Sequence, residues 1–230
     1  MFNRLEKIIG TENLKKLNSK TVAIIGVGGV GSYAVEALAR NNIGRLILVD
    51  FDEVDITNIN RQIEALNSTV GLKKAEVLKE RILDINPKCD VKVILEFIDQ
   101  NNMDLIFNEK IDYLIDACDT IATKKAVIEE CIKRNIKFIS NMGTGNKLNP
   151  KLLEITTIDK TNYDPLAKIM RKWAKDNKIE KKIKVVSSTE RPIKTGDRTP
   201  GSCSIVPSSA GILCASYIIN DIVSINSNTI

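Results

Sequence analysis

The sequence predicts an α/β fold: a Rossmann-like, doubly wound, mostly parallel sheet followed by a C-terminal substrate-binding extension. Short β-rich runs alternate with helical patterns along the first 145 residues, and this alternation is typical of a parallel sheet with helices on both faces. The first strand also runs into the glycine-rich turn Gly26-Val27-Gly28-Gly29-Val30-Gly31. A strand followed by such a turn and then a helix is typical of a phosphate-binding βα unit.

The predicted elements follow this alternation in chain order. An amphipathic helix over residues 4–17 comes first. A helix over 72–85 ends before Pro87, because proline cannot continue a helix. The other predicted elements of this part are strands at 21–26, 45–50, 91–95, 113–117 and 137–141, and helices at 30–41 and 122–134.

After Gly145 the regular alternation stops. We therefore predict a Rossmann-like nucleotide-binding domain at 1–145 and a C-terminal extension at 146–230, with a basic helix, a mobile loop and an apolar helix. Its predicted elements are strands at 152–158 and 183–187, a helix at 165–176, a loop at 188–204 and a helix from about Ser208.

The last of these helices lies in a window, residues 199–220, that carries no charge. Pro207 and several serines make this window a poor membrane span. We expect a buried helix and no stable membrane insertion; shallow membrane contact is the alternative.

Each glycine of the turn is expected at its position for a structural reason. Gly26 allows a tight turn off the strand, while Gly28 and Gly29 let the backbone approach a phosphate without an intervening Cβ. Gly31 permits close packing of the next helix, whose N-terminal N–H groups favour an anion. Asp50 lies nineteen residues after Gly31, at the end of the next predicted strand, where an acid suits ribose hydroxyls.

Other polar segments also follow predicted strands. Residues 116–119 (Asp-Ala-Cys-Asp) and 141–145 (Asn-Met-Gly-Thr-Gly) each come at a strand end. In open α/β sheets, ligands bind outside the carboxyl ends of the strands. We therefore expect these segments, the glycine turn and Asp50 to share one crevice.

Composition limits the chemistry. The 230 residues include no histidine, and the five cysteines form no Cys-x-x-Cys pair. Histidine-dependent triads are therefore excluded, and the usual ligand spacing of a zinc site is missing. The cysteine pattern and the absence of a signal-peptide pattern predict a reduced, cytoplasmic protein.

The net charge of +5 is concentrated in one segment. Residues 160–198 hold twelve Lys or Arg against five Asp or Glu, which favours a polyanionic partner; a purely solubilising charge run is the alternative. Leu166, Met170 and Trp173 recur at helical spacing and should face the core. The basic residues predicted to face solvent are Lys168, Arg171, Lys172, Lys175, Lys178, Arg191, Lys194 and Arg198.

Read together with the glycine turn, the run from Asp50 to Gln62 resembles the ThiF-fold family, relatives of the ubiquitin-activating enzymes. Members of this family use ATP and Mg²⁺ to adenylylate a carboxylate. The resemblance implies that Asp50 holds the ribose, that Asp52 belongs to the nucleotide site, and that Asn58 and Arg61 lie beside the phosphates.

Further roles follow from the same resemblance. Lys74 is the implied phosphate-facing lysine, with Lys73 as its rival. Asp119 is the implied metal-site acid. Arg4 matches an arginine that the family inserts into the partner subunit's site, which implies a homodimer with Arg61, Lys74, Asp119 and Arg4 as the catalytic set.

These roles agree with the chemistry of adenylylation. Attack of a carboxylate on the α-phosphorus builds negative charge, which Mg²⁺, Arg and Lys can stabilise without proton transfer. The role of one neighbour of the metal acid stays open: Asp116 either faces the metal or caps the next helix. Cys118 is interpreted as an inert packed residue, and Cys203 is a minority candidate for a catalytic thiol.

Three later segments, 141–150, 160–172 and 201–211, resemble the tRNA threonylcarbamoyladenosine dehydratases, a branch that acts on a modified adenosine beside the anticodon. This branch implies ATP-dependent dehydration and a tRNA partner, so the solvent-facing basic residues at 160–198 are predicted to bind RNA. A sulfur-transfer protein is a further candidate partner. The alternative within the fold is activation of the C-terminus of a ubiquitin-like sulfur carrier. Two further alternatives are an NAD-dependent oxidoreductase, which leaves Arg61 and Lys74 without a task, and a non-catalytic nucleotide sensor, which would bind ATP without releasing pyrophosphate.

Overall fold

The described part of the chain is built around one seven-stranded sheet. The structure is a computed structural model that describes residues 1–179, 182–196 and 199–224. Its seven described strands are β1 (Thr21–Ile25), β2 (Arg45–Val49), β3 (Asp90–Ile94), β4 (Tyr113–Asp116), β5 (Lys137–Asn141), β6 (Leu153–Thr157) and β7 (Lys184–Ser188). They pair in the order β3-β2-β1-β4-β5-β7-β6, and every pair is parallel except the antiparallel β6–β7 pair.

Helices connect these strands. The described α-helices are α1 (Asn3–Ile9), α2 (Thr11–Asn18), α3 (Gly31–Arg40), α4 (Lys74–Ile85), α5 (Asp104–Phe107), α6 (Ile121–Lys133), α7 (Pro165–Asp176) and α8 (Ile205–Ile222). Single 3₁₀ turns lie at Ile56–Asn58, Pro150–Leu152 and Ile158–Lys160.

The sheet is buried on both faces, which explains the nearly continuous apolar runs of its central strands. Along β1, Val22 and Ile24 point into the core formed with α3, α4 and α8. The alternate residues Ala23 and Ile25 point into the core formed with α5, α6 and α7. Successive side chains of a strand face opposite sides, so one strand supplies both cores. The predicted doubly wound α/β fold is confirmed.

The N-terminal helix was predicted as one piece and is two. Gly10 separates α1 from α2 with φ of 79° and ψ of 161°. Such angles lie far from the helical region and are readily adopted only by glycine. The prediction of a single helix over 4–17 is therefore wrong, because the segment forms two helices.

Helix α8 begins at Ile205, three residues before the predicted start. Pro207 is tolerated in its first turn because the first N–H groups of a helix have no intrahelical acceptor. Within the described residues, α8 is long and apolar enough to cross a membrane. However, its Gly211 is packed so closely on α3 that an added Cβ would lie 2.2 Å from the Val30 carbonyl oxygen. We interpret α8 as a core helix, as predicted.

The segment after Gly145 continues the same sheet. β7 pairs in parallel with β5 through Ser140 with Val185 and Asn141 with Val186. Both sides of the predicted boundary therefore contribute strands to one sheet, and the division into 1–145 and 146–230 stays a prediction.

Candidate active site

A cavity of about 500 Å³ opens at the carboxyl ends of the parallel strands. Its wall includes the glycine turn after β1, Asp50 after β2, Cys118 and Asp119 after β4, and the segment 141–145 at the end of β5. Parallel strands place their carboxyl ends at one edge, so segments distant in sequence meet there. The predicted shared crevice is confirmed, and its volume is typical of a small-molecule site.

The glycine turn forms part of the floor of this cavity. Gly26 has φ of +79°, which provides the tight turn, and a Cβ on Gly31 would lie 1.9 Å from the Gly26 carbonyl oxygen. Gly28 and Gly29 line the cavity, with the side chains of Gln62 and Arg61 close to their Cα atoms. Gly31 thus packs helix α3 onto the strand, while the backbone of Gly28 and Gly29 stays open to a ligand.

Asp50 joins the glycine turn to the end of β2. Its Oδ2 accepts from the backbone N–H of Val27 at 2.8 Å, and its Oδ1 accepts from that of Asp52 at 2.9 Å. Burial raises the pKa of Asp50, against these two hydrogen bonds. A carboxylate oxygen has more than one acceptor site, so Asp50 can still accept from hydroxyl groups in the cavity.

The two neighbouring lysines have different surroundings. Lys74, the first residue of α4, lines the cavity with its side chain only 7% exposed, and its Nζ lies 2.8 Å from Asp52 Oδ2. The Lys73 side chain is 41% exposed, and it donates to the Phe51 carbonyl and pairs with Glu53. The geometry therefore favours Lys74 over its rival as the cation of the site.

Asn58 and Arg61 follow Asp55, which caps the short 3₁₀ helix. Asn58 is buried, and its side-chain oxygen accepts from the Asp55 backbone N–H. The Arg61 Nη1 donates to the Thr57 carbonyl at 2.8 Å. Both Asn58 and Arg61 line the cavity. A guanidinium carries five N–H groups, so Arg61 is fixed by the loop and retains donors for an anion.

Beneath the cavity lies a fully buried ion pair. The Lys124 Nζ on α6 lies 2.7 Å from Asp116 Oδ2, and both side chains are inaccessible to solvent. Lys124 also donates to Ser140 Oγ and to the Asn141 carbonyl. Asp116 further accepts from Ser140 Oγ and from the backbone N–H of Cys118. Neither open interpretation of Asp116 is correct: it pairs with Lys124 and does not line the cavity.

Asp119 is exposed and lies on the cavity wall. Within residues 1–179, 182–196 and 199–224, no group of three or more Asp, Glu, Cys or His side chains is placed to hold a metal ion. Mg²⁺ is commonly held by one or two carboxylates together with substrate phosphates. The Asp119 carboxylate, on the same cavity wall as the glycine turn, fits that arrangement, so any Mg²⁺ here would need oxygen ligands from a bound substrate.

The two cysteines near the site do not resemble nucleophiles. Cys118 lines the cavity, but burial and the adjacent Asp116 raise the pKa of its thiol well above the usual range. A thiol, rather than a thiolate, is a poor nucleophile. Cys203 does not line the cavity, and its sulfur lies 3.6 Å from the Lys147 carbonyl oxygen.

The predicted loop after β7 packs against the cavity. Asn146 and Gly201 exchange hydrogen bonds, from Asn146 N to the Gly201 carbonyl and from Gly201 N to Asn146 Oδ1. Asn60 Nδ2 donates to the Ser202 carbonyl, and Pro200 and Ser202 line the cavity. The C-terminal extension therefore supplies part of the wall.

The sequence did not predict several residues in and beneath the site. Phe51 and Phe97 line one side of the cavity with their rings 5.4 Å apart in an edge-on arrangement. Phe97 lies after an unremarkable strand, so only the fold reveals its place. Lys124 had a detectable signal, since it shares the apolar side of its helix with Val127 and Cys131, and a lysine in an apolar stripe needs a buried partner.

The predicted basic face is mostly exposed. Met170 and Trp173 are buried, as predicted, and Leu166 packs partly buried against the same core. Arg171 is partly buried and donates to the Thr161 carbonyl and hydroxyl. Arg198 lies outside the described residues. The exposed members of the predicted set are Lys168, Lys172, Lys175, Lys178, Arg191 and Lys194.

Arg4 lies on the exposed side of α1. It is not among the described residues that line the cavity of its own chain. Its predicted action in a partner's site stays a prediction.

Comparison of the sequence with known proteins shows which family the chain belongs to. The ThiF family matches residues 2–223, nearly the whole chain. The chain belongs to the ThiF family. It is 42% identical to the tRNA threonylcarbamoyladenosine dehydratase of Bacillus subtilis over 238 residues, covering 96% of this chain and 94% of the relative.

Two crystal structures extend the likeness to the fold. Both are of the E. coli tRNA N6-threonylcarbamoyladenosine dehydratase, one in complex with ATP and one with AMP, and both match with a TM-score of 0.92 at 34% identity. The ATP complex is matched over 99% of this chain and 96% of that chain. The AMP complex is matched over 97% and 94%.

One buried acid near the site predicts a pH effect. Glu64 is 1% exposed, both carboxyl oxygens lack a hydrogen-bond partner, and burial raises its pKa from 4.5 to about 7. Because the folded state holds this proton more tightly, its contribution to stability is lost as pH rises from about 4.5 to about 7. We expect Glu64→Gln to be more stable than the wild type at pH 8, by up to about 3 kcal/mol.

Denaturant unfolding of both proteins at pH 4 and pH 8 measures this difference. The two free energies of unfolding should converge at pH 4. An equal difference at both pH values would show that Glu64 does not titrate in this window.

Proposed function

We propose that the chain uses ATP to dehydrate N6-threonylcarbamoyladenosine beside the anticodon of tRNA, through adenylylation of the side-chain carboxylate. The observation that carries this proposal is the nearly full-length likeness to the B. subtilis and E. coli dehydratases. The cavity adds independent support, because it combines an anion-binding turn, an arginine, a lysine and an acid without any histidine.

The cavity suggests how ATP lies. Phe51 and Phe97 provide an apolar end suited to adenine, and Asp50 between them and the turn accepts from the ribose hydroxyls. The phosphates lie along Gly28 and Gly29, where backbone N–H groups and the N-terminus of α3 favour negative charge. This order matches the sequence of chemical groups along ATP.

Charge stabilisation is the main catalytic task of the chain. The substrate carboxylate oxygen forms a bond to the α-phosphorus, and the bond from that phosphorus to the β-phosphate oxygen breaks to release pyrophosphate. Arg61 and Lys74 stabilise the negative charge that develops on the phosphate oxygens. A Mg²⁺ ion held by Asp119 and the phosphates would neutralise further charge.

The second step needs no nucleophile from the protein. The carbamoyl group of the substrate attacks the activated carbonyl and closes a ring. The bond from that carbonyl to AMP breaks and the carbamoyl group loses one proton, so that the net loss from the nucleoside is one water. The raised pKa of Cys118 is consistent with a thiol that takes no part. Pro200 and Ser202 line the cavity and would exclude water from that side of a bound acyl-adenylate.

We further propose a cytoplasmic homodimer in which Arg4 on the exposed side of α1 reaches the partner's cavity. A sulfur-transfer protein is a further candidate partner. The second candidate function is activation of a ubiquitin-like sulfur carrier, which the shared fold permits. The missing Cys-x-x-Cys pairs favour the tRNA branch, whose relatives cover the chain almost completely.

The central test is a mass measurement on tRNA. Purified protein with ATP, Mg²⁺ and threonylcarbamoylated tRNA should yield a nucleoside lighter by one water, together with AMP and pyrophosphate. A reaction without ATP is the control. Unchanged nucleoside mass, with pyrophosphate exchange stimulated only by a sulfur-carrier protein, would select the second candidate.

The neighbouring lysines allow a matched test of the phosphate site. Lys74→Met should weaken ATP binding roughly 10- to 100-fold, because it removes a charge-assisted hydrogen bond worth about 1.5–3 kcal/mol. Lys73→Met removes the same charge one residue away and should change the affinity less than about twofold. Isothermal titration with ATP measures both; equal losses would mean that overall charge, not position, matters.

The basic face predicts a salt effect. Neutralising Lys168, Lys172 and Lys175 should weaken tRNA binding and reduce the slope of log affinity against log salt by about 2, because each phosphate contact contributes roughly 0.7–0.9. The control neutralises Lys7, Lys15 and Lys16 on α1 and α2. If both triple variants show the same slope, α7 is not part of the RNA footprint.

A further inference from the structure

An exposed aromatic residue and an arginine form a pair in the C-terminal extension. Tyr163, in the turn before α7, is 53% exposed. The guanidinium carbon of Arg191 lies 4.7 Å from the centre of its ring. This distance is within the range of a cation–π interaction, so Arg191 covers part of the ring and leaves the rest open to solvent.

The backbone of Tyr163 is strained. Its φ of +56° lies in the left-handed region, which is unfavourable for a bulky residue by about 1–2 kcal/mol. The next residue holds this conformation, because Asp164 Oδ1 accepts from the N–H groups of Leu166 and Ala167. Glycine or asparagine would suit the turn better, so the turn itself does not explain a tyrosine. Such outliers cluster at functional sites.

Contacts of neighbouring residues connect the pair to the wall of the cavity. Asp164 packs on Gly143, where an added Cβ would lie 2.9 Å from its Oδ1, and both Gly143 and Leu166 line the cavity. On the other side, Glu190 accepts from the N–H groups of Leu148 and Asn149, just after the same wall. Asp164 and Glu190, the chain neighbours of Tyr163 and Arg191, thus contact Gly143 on the cavity wall and the backbone just beyond that wall, at 148–149.

The surrounding charge favours a nucleic acid. The exposed side chains of Lys168, Lys172 and Lys194 belong to the same extension. Of the two acids next to the pair in the chain, Asp164 is buried and Glu190 binds backbone N–H groups. Unpaired bases of RNA stack on aromatic rings and on arginine guanidinium planes, and basic side chains bind the adjacent phosphates.

We propose that Tyr163 and Arg191 form a stacking platform for an unpaired base of the tRNA loop that carries the substrate. The platform orients the loop so that the modified side chain enters the cavity. This inference rests on the proposed function and adds the residues that select an unpaired, accessible adenosine over one stacked within the loop.

The test separates the effects of the aromatic ring, the hydroxyl group and the backbone conformation at Tyr163. Tyr163→Ala should raise the KM for threonylcarbamoylated tRNA roughly 10- to 100-fold, as expected for the loss of one stacked base, with little change in the affinity for ATP. Tyr163→Phe keeps the ring and should stay within about threefold of the wild type. Leu105→Ala, an exposed apolar change on α5, is the control.

Two further measurements distinguish RNA contact by Tyr163 from a role only in stabilising the fold. Tyr163→Gly relieves the positive φ, so its thermal midpoint should be equal to or above that of the wild type while its KM for tRNA still rises. Tyr163→Ala removes no charge and should leave the salt dependence of tRNA binding unchanged, whereas Arg191→Ala should reduce the slope.

The outcomes separate this inference from the proposed function. Unchanged KM in Tyr163→Ala and Tyr163→Gly, with normal conversion of tRNA by the wild type, would overturn the platform alone. An equal loss in Tyr163→Phe and Tyr163→Ala would overturn stacking in favour of a hydroxyl contact. No conversion by the wild type under any condition would overturn the proposed function instead.

Discussion

The buried pair of Lys124 and Asp116 is the constraint on which the site depends. A charge removed from water is costly unless it is paired and its remaining hydrogen-bonding groups are satisfied. Here the ammonium group has three acceptors, and the carboxylate accepts from Lys124, Ser140 and Cys118. The pair joins the ends of β4 and β5 to α6, so the Asp119 corner and the wall at 141–145 are held in one geometry.

A second constraint is close backbone approach around the glycine turn. Gly31 lies against the Gly26 carbonyl, and Gly211 of α8 lies against the Val30 carbonyl at the start of α3. No larger side chain fits at either contact without moving the backbone. The N-terminus of α3 is therefore fixed between the strand and the C-terminal helix, directly after the cavity-lining Gly28, Gly29 and Val30.

The cavity and the basic helix α7 also share a buried connection. Lys147 Nζ donates to the Gly143 carbonyl and lies 3.7 Å from Asp164 Oδ2, with both side chains almost inaccessible. Burial lowers the pKa of Lys147, although the two neighbouring carboxylates oppose this. Asp164 is at the same time the cap of α7. The face proposed for tRNA is thus attached to the wall of the proposed ATP site by side chains that cannot move independently.

The sequence by itself determined the parts of this protein that depend on local pattern. Alternating strands and helices, the glycine turn and Asp50 are each defined by residues close in the chain, and periodicity and turn chemistry predict such features directly. The same local rules missed the break at Gly10, where a positive φ interrupts a pattern that is otherwise helical.

Only the tertiary structure decided which side chains meet. It favoured Lys74 over Lys73, assigned Asp116 to Lys124 instead of a metal or a helix cap, and brought Phe51 to Phe97. It also joined Tyr163 to Arg191 across the extension. The physical reason is that burial and pairing depend on neighbours supplied by distant segments, and a one-dimensional pattern contains the residues but not those neighbours.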